Sequence, residues 1–79
     1  MITRDMLELK RMRLALELTQ LDCYVGCGVS PARLSKAENG HIELTHTEMV
    51  YLRDFLRESW ERQQQRERVI FASQEAVPA

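Results

Sequence analysis

The sequence has no apolar run approaching the roughly 18–20 residues that a helix needs to cross a bilayer, so a membrane-embedded chain is not expected. Its first residues, Met1 to Met6, lack the basic flank and unbroken apolar stretch of a secretory signal. Cysteine is scarce, with only Cys23 and Cys27, three residues apart. That pattern is no disulfide framework, and a reducing cytoplasmic setting is the default expectation. Lysine and arginine are in no excess, eleven against twelve aspartates and glutamates, for a net charge of −1. On its face that balance argues against a strongly basic nucleic-acid binder, although net charge does not say where the charges sit. Glycine (three) and proline (two) are also few, and neither occurs from His41 to Val77. Gly26, Gly28, Pro31 and Gly40 instead crowd into one short window, which marks the turns of the chain.

What remains is 79 residues with 44% apolar and 29% charged composition, the balance of a globular domain rather than a disordered one. A chain of this size buries only about 60% of its unfolded surface, so a partner subunit is expected.

The pattern predicts an all-α fold, a small four- to five-helix bundle with a C-terminal helical extension. A first helix covers about Thr3 to Glu17, capped by Thr3, with Met6, Leu9, Met12 and Leu16 at helical spacing. Thr19 caps a second helix over Gln20 to Cys27, whose apolar positions are Cys23, Val25 and Cys27, and Gly28 stops it. Ser30 caps a third, and Pro31 fits its first turn because no N–H is needed there. Leu34 and Ala37 face inward, and Asn39-Gly40 ends that helix. Thr45 and Glu48 form a capping box ahead of a fourth helix bearing Met49, Leu52, Phe55, Leu56 and Trp60 on one face. Beyond Trp60, the pairs Arg57/Glu61 and Glu58/Arg62 favour continued helix. Whether Val69, Ile70 and Phe71 belong to that helix or to a fifth is left open. The expected organisation is residues 1–60 as the domain and 61–79 as an extension, with Trp60, Val69, Ile70 and Phe71 as candidates for a dimer interface.

Gln20, Gly28, Leu34 and Glu38-Asn39-Gly40 fall together at characteristic separations. This pattern resembles the helix-turn-helix family of Cro and repressor proteins, the xenobiotic-response-element family, over about Leu9 to Leu56. The resemblance implies a lambda-repressor-like bundle with a central helix-turn-helix and a recognition helix at 31–38. Independently, two short helices joined by a glycine-containing turn cross at a large angle and project the second outward. Carried over by position, Pro31, Ala32 and Lys36 face the bases, with Ser30, Arg33 and Ser35 beside them. Gln20 binds a phosphate with the N-terminus of its helix, and Asn39 meets the opposite strand. Arg13 and Glu38 match a pair that forms a structural salt bridge in the family. The bland alternative for Arg33 and Lys36 is a solvated helix face. Tyr24 departs from the family's usual alanine, so it either turns to the surface or splays the helices. The loop His41-Ile42-Glu43-Leu44, often basic in the family, has neither lysine nor arginine.

Other chemistries find less support. Cys23, Cys27, His41 and His46 approach zinc-finger spacing, but Asn39-Gly40 breaks the chain before His41 and a new helix starts between the histidines. No metal, no cofactor and no catalytic site are expected, and the chain does not read as an enzyme. The expected function is a sequence-specific DNA-binding transcriptional regulator, a repressor, located in the bacterial cytoplasm at the nucleoid. Its partner is double-stranded DNA, bound as a homodimer on a palindromic operator. The alternative is an antitoxin or adaptor whose 60–71 segment grips a protein partner. Charge is uneven in a way that suits the first reading. Residues 1–40 carry six positive and five negative groups, whereas residues 41–60 carry two and four.

Overall fold

The computed structural model describes residues 1–75, with side chains described through residue 68. Among them four helices follow in order: α1 (Arg4–Ala15), α2 (Gln20–Cys27), α3 (Pro31–Glu38) and α4 (His46–Glu75). Each begins at a side-chain oxygen. Thr3 Oγ1 accepts from the Met6 amide at 3.2 Å, and Ser30 Oγ from the Arg33 amide at 3.3 Å. At α2 the cap is reciprocal: Thr19 Oγ1 accepts from the Asp22 amide (3.0 Å) and Asp22 Oδ2 from the Thr19 amide (2.8 Å). The same box opens α4, where Thr45 and Glu48 exchange bonds of 3.1 and 2.9 Å. Amides that have no partner within the helix are thereby satisfied, at about 1 kcal/mol per cap.

The helix ends are as local. At α3 the His41 amide donates to the Lys36 carbonyl and the Gly40 amide to that of Ala37, with Gly40 at φ 78°. This is a Schellman turn, and its left-handed residue is the usual glycine. Gly40 is constrained twice, because a Cβ there would lie 2.6 Å from the Ile2 backbone nitrogen. The end of α1 makes the same turn, with Leu18 bonded to Arg13 and Glu17 to Leu14. Its left-handed residue is Glu17, at φ 58°. For this reason α1 stops at Ala15, two residues short of the helix that periodicity suggests.

The core is drawn from every helix and from the α2–α3 and α3–α4 connections: Met6, Cys23, Val29, Leu34, Ala37, Leu44, Leu52 and Leu56. Leu9, Met12, Leu16, Ile42, Met49 and Phe55 pack around it. Of the apolar positions of α2, Cys23 is fully buried and Cys27 half-buried, whereas Val25 is 82% exposed. Tyr24 turns outward, so its bulk does not separate α2 from α3. The close approach of α2 is instead to α4, at Gly26, where an added Cβ would fall inside contact distance of the Phe55 ring. A glycine that weakens a helix by about 1 kcal/mol relative to alanine is thus retained for packing.

α4 runs without a break for 30 residues, about 45 Å at 1.5 Å per residue. It sets the 55 Å length of the molecule. The expected boundary at residues 60/61 falls inside this helix, and 69–71 belong to it rather than to a fifth helix. Val69, Ile70 and Phe71 lie outside the residues whose side chains are described. No helix among the described residues is long and apolar enough to cross a membrane.

Gly26→Ala is expected to destabilise the fold by about 1–3 kcal/mol through overpacking, measured by urea denaturation. The loss should shrink when Phe55→Leu removes the opposing ring. Glu17→Gly should stabilise by about 1 kcal/mol by relieving the left-handed strain.

Candidate nucleic-acid interface

A buried polar cluster lies where α1, α2 and α3 meet. Arg13 and Glu38 pair edge to edge, Nε to Oε2 and Nη2 to Oε1, both at 2.7 Å. Their side chains are only 10% and 4% exposed. Arg13 Nη1 donates to the Leu18 carbonyl at 2.7 Å, and Gln20 Nε2 donates to Glu38 Oε1 at 3.0 Å. Lys10 Nζ reaches the Glu38 carbonyl at 3.5 Å, at the last turn of α3. Both charges leave water with their hydrogen bonds replaced. Among the described residues no buried side-chain polar atom lacks a partner. A desolvated pair is tolerated only on that condition.

This network clamps the C-terminal end of α3 while Ser30 fixes its start. Between them α3 buries one face, Leu34, Ala37 and Glu38. The opposite face carries Ala32, Lys36 and Asn39, all exposed, with Pro31 and Ser35 half-buried on one flank. Ser30 is half-buried and occupied as the cap. The sequence-derived candidates thus form a single outward surface, with two differences in detail.

The first is Gln20, which has one amide hydrogen committed to Glu38 and only the other available to a phosphate. The second is Arg33 on the other flank of α3. Its Nε and Nη2 donate to Glu48 Oε2 and Oε1, both at 2.7 Å, and its side chain is 46% exposed. Sequence reasoning assigned Glu48 to the capping box alone. The carboxylate performs both tasks, since Oε1 also accepts from the Thr45 amide at 2.9 Å. The hydrogen bonds from Arg33 and then from the Thr45 backbone hold the Glu48 carboxyl down at about 2, against 4.5 ordinarily. The signal in the sequence was faint: two opposite charges fifteen residues apart, each at a helix start.

Cys23 is fully buried, and burial pushes its thiol up to about 11. Cys27 is half-buried, while His41 and His46 are exposed. Among the described residues no three His, Cys, Asp or Glu side chains come together to hold a metal ion. Trp60, at the end of the α4 core stripe, is 45% exposed. The concavities that line the surface are shallow and of mixed polarity, such as the one bounded by Asp5, Glu8, Leu9, His46, Met49 and Arg53. Compared with family models, with curated proteins and with solved structures, the chain has no significant match.

Glu38→Gln leaves Arg13 buried without its counter-charge and is expected to cost about 3 kcal/mol or more, read by chemical denaturation. Because the folded Glu48 value lies below the unfolded one, its contribution is complete above pH 4.5 and is lost as pH falls toward 2. Glu48→Gln should therefore flatten the acid limb of the stability–pH curve in that window. Unchanged curvature would show that the pair contributes nothing. Alkylation at neutral pH should label Cys27 well before Cys23.

Proposed function

We propose that this chain is a sequence-specific DNA-binding transcriptional regulator, a repressor that inserts α3 into the major groove. The observation that carries the reading is the open face of α3. A helix anchored at both ends and buried along only one side presents Ala32, Lys36 and Asn39 together to solvent. A helix of about 10–12 Å diameter fits a major groove about 12 Å wide. Lys36 then donates to guanine O6 or N7, Ala32 and Pro31 meet a thymine methyl or set the approach, and Asn39 meets a phosphate. Gln20 offers its remaining amide hydrogen, beside the N-terminal amides of α2, to the backbone. The resemblance of Gln20, Gly28, Leu34 and Glu38-Asn39-Gly40 to the Cro and repressor pattern supports the same assignment.

Affinity in this reading rests on a few placed groups rather than on a broad basic surface. The net charge is −1, and the loop after α3 offers no lysine or arginine. Two copies acting together supply the remainder. A two-fold dimer reads a palindrome whose half-sites lie roughly one helical turn, about 34 Å, apart. The protein belongs to the bacterial cytoplasm in this reading, at the nucleoid. A second reading, an antitoxin or adaptor that grips a protein partner, is favoured by one observation. Trp60, one turn beyond the buried Leu56 on α4, leaves a large aromatic side chain 45% exposed.

Selection of bound fragments from genomic DNA should enrich a palindromic site. Lys36→Ala should lower affinity for that site by about tenfold, one base contact's worth, without changing the circular dichroism spectrum. Binding through about four to six phosphates gives a log–log salt slope of about −4 to −5. No DNA affinity at low salt, together with tight capture of a protein partner lost in Trp60→Ala, would establish the second reading instead.

A further inference from the structure

The Arg33–Glu48 pair has a feature that a surface salt bridge does not need. Glu48 is held by three bonds: one to its own backbone cap at Thr45 and two to the guanidinium. Arg33 presents its Nε–Nη2 edge to the carboxylate, so the adjoining Nη1–Nη2 edge is unused among the described residues. Of the five N–H donors of an arginine, three remain, on a side chain 46% exposed at the margin of the open α3 face. Two parallel donors on a planar fork are what bidentate recognition of guanine O6 and N7 requires.

We propose that Glu48 is a positioning residue for base recognition, whose grip on one edge of Arg33 presents the other edge to a guanine at the flank of the α3 site. The inference rests on the DNA-binding reading and adds to it a base preference and a residue from outside the α2–α3 unit. The physical case is one of preorganisation. A long flexible side chain already held in one rotamer loses less freedom when it binds. It also explains a negative charge beside a surface that meets phosphates. Glu48 weakens attraction to any DNA equally, but strengthens contact with the one sequence that places guanine before Arg33.

Those two effects have opposite signs, and their opposition separates positioning from simple scaffolding. Glu48→Gln keeps an oxygen for the Thr45 cap and removes the charge that holds both guanidinium donors. The test uses the full chain of wild type, Glu48→Gln and Arg33→Ala, each checked for folding by circular dichroism. Sites are first selected from a random duplex library. Fluorescence anisotropy then compares the selected duplex with a scrambled one.

The wild type is expected to require guanine at one flanking position per half-site, and Arg33→Ala to lose that preference. Glu48→Gln should relax it and weaken the selected site by about five- to tenfold, while scrambled DNA binds as well as before or better. Equal or tighter binding of the selected site by Glu48→Gln overturns the proposal, because Glu48 would then be restraining Arg33 rather than presenting it. A parallel fall on both duplexes overturns it too, marking Arg33 as a phosphate contact. Failure of the wild type to enrich any sequence refutes the DNA-binding reading itself, and shows before any variant is compared.

Discussion

The fold depends on one buried ion pair. Arg13 and Glu38 lie 25 positions apart and join the end of α1 to the end of α3. The same two side chains also hold the Leu18 carbonyl and the Gln20 amide, which frame the start of α2. Three helices are therefore indexed to one another by charge-assisted bonds, whose geometry is stricter than that of aliphatic contact. With a core of eight buried apolar side chains among the described residues, such a lock restricts how the short helices settle. Its members cannot be removed singly without leaving a charge in a dry site.

The outward face of α3 is a consequence of that lock. Hydrophobic burial through Leu34 and Ala37 decides which side of α3 points in, and Glu38 fixes its rotation and its end. What faces out is then Ala32, Lys36 and Asn39. The surroundings are not strongly basic, and Glu48 adds a negative charge at the margin. A site of this kind gains little from electrostatic attraction at a distance and depends on the fit of a few groups. The long α4 both closes the core, through Leu52 and Leu56, and carries Glu48 to the flank of α3.

Features written within a few residues of each other were legible in the sequence. The caps at Thr3, Thr19, Ser30 and Thr45, the limits of α2 and α3, and the inward places of Cys23, Leu34 and Ala37 follow from local hydrogen bonding and periodicity. Features that need two distant segments were less so. Gly26 reads as a weak point of a helix until Phe55 is placed against it. Arg33 reads as a free charge until Glu48 is found beside it. Glu17 hides a turn, because its left-handed backbone is imposed by the Schellman bonds of α1 and not by its side chain. The Arg13–Glu38 pair is the exception: it is distant, yet it was expected from the resemblance read in the sequence.

The central claim, that the open face of α3 is a DNA-binding surface, is tested most directly by NMR. Amide shifts of the isotope-labelled chain would be followed during titration with a duplex at low salt, where contact does not require the right sequence. The account predicts perturbations concentrated at Gln20 and along Pro31 to Gly40, with the Lys36 and Asn39 amides among the largest and the far half of α4 unaffected. Perturbations clustered around Trp60 and beyond, or none at all, would contradict it.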